Sequence, residues 1–310
     1  MTRDHGGGID AATARWGGAR ADWLDLSTGI NPIPYPLPPL PPECWTALPD
    51  RAAQAALIEA ARRFWTVPEG AGILAAPGAS ALIARIPLTA AGKRVTIPGP
   101  TYNEHAASFR AAGWQVAESG LSDAAVIVHP NNPDGRFHER PPDAPLTVID
   151  ESFCDIAPDR SHVAQATRPG VLVLKSFGKF WGLAGLRLGF AIGDPALLDR
   201  LADALGPWAV SGAALHVGTL ALGDRQWAED TRRRLADDAR RLDALVVAAG
   251  AQVAGGTPLF RLYRTEDAAD WKDRLARHQI LGRTFPYSRT WLRLGLPSPE
   301  GFDRLARALT

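Results

Sequence analysis

Val171-Leu172-Val173-Leu174-Lys175-Ser176-Phe177-Gly178-Lys179-Phe180-Trp181-Gly182-Leu183-Ala184-Gly185-Leu186-Arg187-Leu188-Gly189-Phe190 is the stretch on which the reading of this chain turns. Its apolar start predicts a buried strand, which delivers Ser176, then Lys179 three residues on, then Arg187 eight residues later, among glycines and apolar side chains. Desolvation favours the neutral amine of a lysine, the form that attacks carbonyls to give Schiff bases. Glycines let a backbone approach a ligand, and Ser176 and Arg187 suit a phosphate. The same residues also read as a strand, loop and strand whose Lys and Arg reach solvent, because charged side chains are usually exposed. Local composition leaves both open.

Around this stretch strands and helices alternate. Strands are expected at Gly72 to Ala76, Arg94 to Ile97, Ala124 to His129, Leu146 to Ile149, Val171 to Leu174 and Leu188 to Ile192, with helices from Ala52 to Trp65, after Tyr102, and from Asp194-Pro195 toward Leu205. That rhythm predicts an α/β fold with a mostly parallel sheet covered on both faces. Upstream, residues 1–42 read as an N-terminal arm with a short helix near Asp10 to Trp16, followed by Pro32 to Pro42, where nearly every second residue is proline. Such a segment is neither helix nor central strand and crosses a surface in a polyproline-like form. Residues 43–207 are expected to form the large domain and 208–310 a smaller α/β domain. The latter begins with a long helical region ending near Gly250 and closes with a helix started by Ser298-Pro299.

Composition narrows the function classes. A chain of 310 residues buries a substantial core, and a net charge of +1 gives no electrostatic reason to expect nucleic acid or an anionic membrane as partner. Its two cysteines, Cys44 and Cys154, match no metal-ligand or redox spacing, so no metal is expected, and a reduced cytoplasmic protein is. No apolar signal core opens the chain, and its most apolar region, Gly72 to Gly92, is broken by Pro77, Arg85 and Pro87. Neither a P-loop nor a Rossmann glycine pattern occurs.

Three further places fall at or just past the carboxyl ends of expected strands, where open α/β sheets keep their ligands. Ile149-Asp150-Glu151 brings carboxylates, His129-Pro130-Asn131-Asn132-Pro133-Asp134-Gly135 a polar turn, and Pro98-Gly99-Pro100-Thr101-Tyr102 an aromatic. Separately each has a plain explanation: a cap or cation ligand, a turn, a core ring. Jointly they supply a lysine for an imine, an aspartate for a pyridine nitrogen, a ring to stack and a phosphate cup, the needs of pyridoxal phosphate.

With these motifs the chain resembles the fold-type-I pyridoxal phosphate enzymes of the class I and II aminotransferase group. The motifs that carry the resemblance are Asn-Pro-x-Gly, Asp-Glu, and Ser-x-x-Lys followed by Gly-Leu-Arg. The resemblance implies that Lys179 bonds the cofactor carbonyl, Asp150 pairs with the ring nitrogen, Asn132 bonds the ring hydroxyl and Tyr102 stacks on the ring. It assigns the phosphate to Gly78, Ala79, Ser80, Ser176 and Arg187. It also implies a homodimer.

Within the group, His5-Gly6-Gly7, Leu26-Ser27-Thr28-Gly29-Ile30-Asn31-Pro32 and the Lys179 stretch are similar to the threonine-phosphate decarboxylase branch, with the histidinol-phosphate aminotransferases as the alternative. Phe153 stands where aminotransferases of the group usually carry a Tyr bonded to the cofactor oxygen, which favours the decarboxylase branch. Leu48 replaces a Tyr that in many relatives reaches the neighbouring subunit's cofactor, and Gly178 replaces a Ser or Thr. A small substrate carrying carboxylate and phosphate needs further cations, and Arg283 and Arg293 are the candidates, with His5 and Asn31.

Overall fold

The computed structural model describes residues 5–310, which form two compact units. One gathers the described residues up to Ile33, Pro133–Arg136 and Asp230–Thr310; the other gathers Pro34–Asn132 and Phe137–Glu229. These bounds differ from the 1–42, 43–207 and 208–310 read from the sequence. The strands in chain order are β1 (Leu24–Asp25), β2 (Gly72–Ala76), β3 (Arg94–Thr96), β4 (Gln115–Ala117), β5 (Ala124–Val128), β6 (Leu146–Asp150), β7 (Val171–Ser176), β8 (Gly189–Gly193), β9 (Gln252–Thr257), β10 (Phe260–Arg264), β11 (Ile280–Leu281), β12 (Arg283–Phe285) and β13 (Ser288–Gly295). No helix among the described residues is long and apolar enough to cross a membrane.

The larger unit is built on a seven-stranded sheet in the order β2-β8-β7-β6-β5-β3-β4. Its pairs are parallel except at β8, which runs antiparallel to both β7 and β2. Alternation along the strands sends side chains to two separate cores. Val126, Val148, Leu172 and Leu174 join Leu82, Phe109 and Leu201 on one face, whereas Ile127, Ile149, Val171 and Val173 join Val67, Val163 and Ala166 on the other. Full burial of such a side chain contributes about 1.5–3 kcal/mol, which is why these strands read as nearly continuous apolar runs.

Helix starts follow the expected chemistry. Asp194 accepts a hydrogen bond from the Ala196 amide ahead of Pro195, Asp50 one from Ala53, and Ser298 one from Gly301. The long helical region is two helices, Gly212–Gly223 and Arg225–Ala248, parted at Asp224. The first packs against Arg51–Phe64 within the larger unit, which is why residues 208–229 lie there. Pro32 to Pro42 forms neither helix nor strand.

In the smaller unit the sheet order is β12-β13-β10-β9, all antiparallel. The N-terminal segment belongs to this unit: β1 pairs in parallel with β11, and Ile9, Ala12 and Trp23 are buried with Ala276 and Leu281. An apolar face of that kind needs cover, so the segment from Ile9 onward does not stand alone as an arm.

Candidate active site

Asp150 ends β6, between Val128 of β5 and Leu174 of β7, so its carboxylate emerges at the carboxyl edge of the parallel strands. A cavity of about 120 Å³ opens there, lined by Ala79, Ser80, Tyr102, Asn132, Asp150, Ser176, Lys179 and Arg187. Every cofactor residue expected from the sequence thus lines one pocket except Gly78, which borders it through Arg187. Ile83, Val128 and Phe153 supply apolar wall.

Asp150 is 2% exposed and fully partnered. Its Oδ2 lies 2.8 Å from His105 Nε2, and its Oδ1 accepts from the Ser152 hydroxyl at 2.5 Å and the Ser152 amide at 3.0 Å. Burial pushes the carboxyl up, but these bonds and the His105 ring outweigh it, and the group is held below the usual carboxylate range. Asp150 is therefore a fixed buried anion, suited to a protonated pyridine nitrogen. His105 was not singled out in the sequence. It stands three residues after Tyr102, at the start of the Asn103–Ala111 helix, a spacing that puts both on one side, their rings 6.0 Å apart.

Burial, with Asp150 and Glu104 nearby, pushes the Tyr102 phenol up to about 12, so it stays protonated, and it shares a hydrogen bond with Ser80. Arg187 takes a left-handed backbone, φ 54°, and donates to the Ala184 carbonyl at 3.0 Å. Gly78, at φ 87°, faces it: a Cβ there would lie 2.6 Å from Arg187 Nη2. The left-handed backbone favours glycine here, and a side chain would have to push the guanidinium aside. The hydroxyls of Ser80 and Ser176 and the cation of Arg187 line the pocket and fit the phosphate of pyridoxal phosphate, as Asp150 fits its ring nitrogen. At Gly178 an added Cβ would lie 3.3 Å from Ala184 Cα, so a Ser or Thr would crowd the loop.

Lys179 lies in the turn after β7 and is half-buried, its Nζ 5.4 Å from the centre of the Phe153 ring. Desolvation is expected of Lys179, but the fully buried lysine of this stretch is Lys175, 1% exposed, which bonds Glu151 instead of facing the pocket. Period-two alternation accounts for this: Ser176 faces the pocket, so Lys175 faces the opposite core.

The four expected substrate residues all belong to the smaller unit. Arg283 and Arg293 face each other as register partners on β12 and β13. Arg293 is buried and donates to the Ser27 carbonyl at 2.6 Å; burial, with Arg283 beside it, lowers its guanidinium to about 10. Asn31 is buried too, its Oδ1 accepting from Arg234 Nη2 at 2.7 Å. His5 and Arg283 line a cavity of about 670 Å³ with Arg15 and Lys272.

His129, Glu151 and Cys154 bring possible ligand atoms within 4.8 Å of one another. His129 already bonds the Arg160 carbonyl through Nε2 at 2.7 Å and accepts the His138 amide at Nδ1. Glu151 accepts from Lys175, Ser161 and His162, so the polar atoms of His129 and Glu151 are bonded within the core.

The family model for aminotransferase class I and II matches residues 144–309. A threonine-phosphate decarboxylase of Sinorhizobium sp is 41% identical over 98% of this chain and 97% of its own, and one of Pseudomonas aeruginosa is 41% identical over 99% and 97%. Among solved structures, histidinol-phosphate aminotransferase from Sinorhizobium meliloti in complex with pyridoxal-5'-phosphate superposes with a TM-score of 0.81 at 17% identity, covering 100% of this chain and 94% of that one. The fold is therefore that of the fold-type-I enzymes. With the family pattern matched from Ala144 to Leu309, a span that holds Asp150, Lys179 and Arg293, and with relatives 41% identical over nearly the whole chain, the chain belongs to the aminotransferase class I and II family.

Proposed function

We propose that this protein is a pyridoxal-phosphate-dependent decarboxylase. It takes L-threonine O-3-phosphate to (R)-1-amino-2-propanol O-2-phosphate and carbon dioxide, a step serving cobalamin biosynthesis. The observation that carries the reading is the full-length likeness to two threonine-phosphate decarboxylases. Phe153 supports it against a histidinol-phosphate-type aminotransferase, because Lys179 meets an aromatic ring where a tyrosine hydroxyl is expected in an aminotransferase.

Pyridoxal phosphate, when bound, supplies a protonated pyridine ring that accepts the electron pair left at Cα when a bond there breaks. Asp150, kept anionic by His105 and Ser152, holds the proton on the ring nitrogen. Ser80, Ser176, Arg187 and the Gly78-Ala79 backbone would hold the phosphate, Asn132 the ring hydroxyl, and Tyr102 would supply an aromatic face for the ring. Lys179 would hold the cofactor through its carbonyl, and the Lys179 Nζ is the group that would hold a proton for Cα. Orientation of the substrate decides that the carboxylate and not the proton departs. Arg293 is proposed for the carboxylate, and Arg283, His5 and Asn31 for the substrate phosphate.

Exposed Trp45 and Leu48, 69% and 68% accessible, support a homodimer whose second copy covers them. Free Cys44 and Cys154 suit the reducing cytoplasm.

The test offers the protein, loaded with pyridoxal phosphate, threonine phosphate, serine phosphate and free threonine separately, and histidinol phosphate with 2-oxoglutarate, and reads products by mass spectrometry. Aminopropanol phosphate from threonine phosphate supports the proposal. Glutamate from the last mixture alone refutes it.

A further inference from the structure

On the opposite face of the large sheet from the pocket lies a group of charges that the reaction above does not use. Lys175 is 1% exposed, with Nζ 2.6 Å from Glu151 Oε2 and 3.7 Å from Asp155 Oδ1. Asp155 accepts two indole N–H bonds, from Trp65 Nε1 at 2.9 Å and from Trp181 Nε1 at 3.1 Å. Glu151 accepts from the Ser161 hydroxyl at 2.6 Å and the His162 amide at 2.5 Å. The indole of Trp181 is held flat between Phe177 and Trp227, both stacked at 12°, and its carbonyl accepts from the Tyr35 amide at 2.9 Å.

As fold stabilisation this arrangement is inefficient. Removing three ionised groups from water costs heavily, and apolar residues of the same volume commonly serve a core as well or better. Its members, however, are chain neighbours of the pocket residues: Glu151 follows Asp150, Lys175 precedes Ser176, Asp155 stands two residues after Phe153, and Trp181 two residues after Lys179. The indole–carboxylate bond thus joins the segment carrying Asp150 and Phe153 to the turn carrying Lys179. Lys179 is only half-buried, in a turn without regular structure, so local backbone bonding restrains it less than a strand residue.

We propose that Asp155, anchored by Lys175, is a positioning residue for the reaction: through the Trp181 indole N–H it fixes the turn that presents Lys179 to the cofactor. Its effect reaches the chemistry only through Trp181. The proposal rests on Lys179 being the cofactor lysine.

The experiment compares holoenzymes of the unaltered protein, Trp181→Phe and Trp227→Phe. Trp181→Phe removes the indole donor while keeping an aromatic ring in the stack. Trp227→Phe weakens the same stack and leaves the bond to Asp155 intact. Borohydride reduction followed by peptide mass analysis locates the cofactor. The visible absorbance of the lysine–cofactor bond is titrated with pH, and kcat and KM are measured on threonine phosphate.

The expected result for Trp181→Phe is a titration midpoint moved by about half a pH unit or more and kcat lowered roughly tenfold with KM nearly unchanged. Trp227→Phe should leave both close to the unaltered values. Should Trp181→Phe fail to fold, Asp155→Leu, which keeps a similar volume but removes the acceptor of the Trp181 indole N–H, is expected to shift the midpoint in its place. Equal effects in the two tryptophan variants, or an unmoved midpoint in Trp181→Phe or its substitute, overturn the proposal while leaving the cofactor assignment intact. Cofactor found on a residue other than Lys179 in the unaltered enzyme overturns both.

Discussion

Replacing Lys175 by Met tests the buried charges by stability alone. The substitution keeps most of the side-chain volume but removes the cation lying 2.6 Å from Glu151 and 3.7 Å from Asp155. Glu151 and Asp155 are 1% and 4% exposed, so two carboxylates are left in a site that excludes water. Removing one partner of a buried ion pair costs about 3–5 kcal/mol. At roughly 2–4 °C per kcal/mol for a protein approaching this size, the thermal midpoint should fall by about 6–20 °C.

The pH dependence gives the sharper reading. In the unaltered protein burial pushes the Glu151 carboxyl up, but Lys175 and the bonds from Ser161 and His162 outweigh it and hold the group low. Its contribution is present above the ordinary carboxylate range and lost as pH falls through the lowered native value. Without Lys175 the burial is less opposed and Glu151 titrates higher in the folded state. Protonation then relieves the variant, and its deficit is largest near pH 8 and shrinks toward about pH 5. Thermal unfolding of both holoenzymes across that range measures this. A deficit under about 1 kcal/mol at pH 8, or one that widens on acidification, refutes the reasoning.

Other perturbations address the residues proposed for cofactor and substrate. His105→Phe keeps an aromatic ring beside Tyr102 but loses the 2.8 Å bond to Asp150, so the carboxyl rises and the acid limb of kcat moves to higher pH by about one unit; a pH–rate profile reads it. Gly78→Ala places a Cβ 2.6 Å from Arg187 Nη2 at a backbone φ of 87°, and the half-loading concentration of pyridoxal phosphate, followed by absorbance, should rise at least roughly tenfold. Arg293→Lys keeps a charge but loses the planar fork, so KM for threonine phosphate should rise roughly tenfold with a smaller change in kcat, read by steady-state kinetics.

The central strands were legible because both their faces are buried: Ala124–Val128, Leu146–Asp150 and Val171–Ser176 are apolar almost throughout. Their mostly parallel course was legible too, from the alternation of strands with helices, but the reversal of β8 was not, since a period of two carries no polarity. Gln115–Ala117 and Gln252–Thr257 escaped notice because one is three residues long and the other contains Gly255-Gly256, which weaken any strand pattern. Placement of Ile9 to Ile33 with the C-terminal residues depends on the pairing of Leu24 with Ile280, a contact between distant parts of the chain that no local pattern encodes.

That Asp150, Lys179, Asn132 and Tyr102 come together at one pocket was legible because each ends or follows an expected strand. His105 acts on Asp150, while Glu151, Asp155 and Lys175 act on one another, and the pairing of Lys175 with Glu151 is visible only once β6 and β7 lie side by side.

The most direct measurement supplies threonine phosphate labelled at its carboxyl carbon to the holoenzyme and follows the label. The account predicts labelled carbon dioxide in equal amount to aminopropanol phosphate, with neither formed by Lys179→Ala. Label retained in a 2-oxo acid, with the amino group passed to an acceptor, would contradict it.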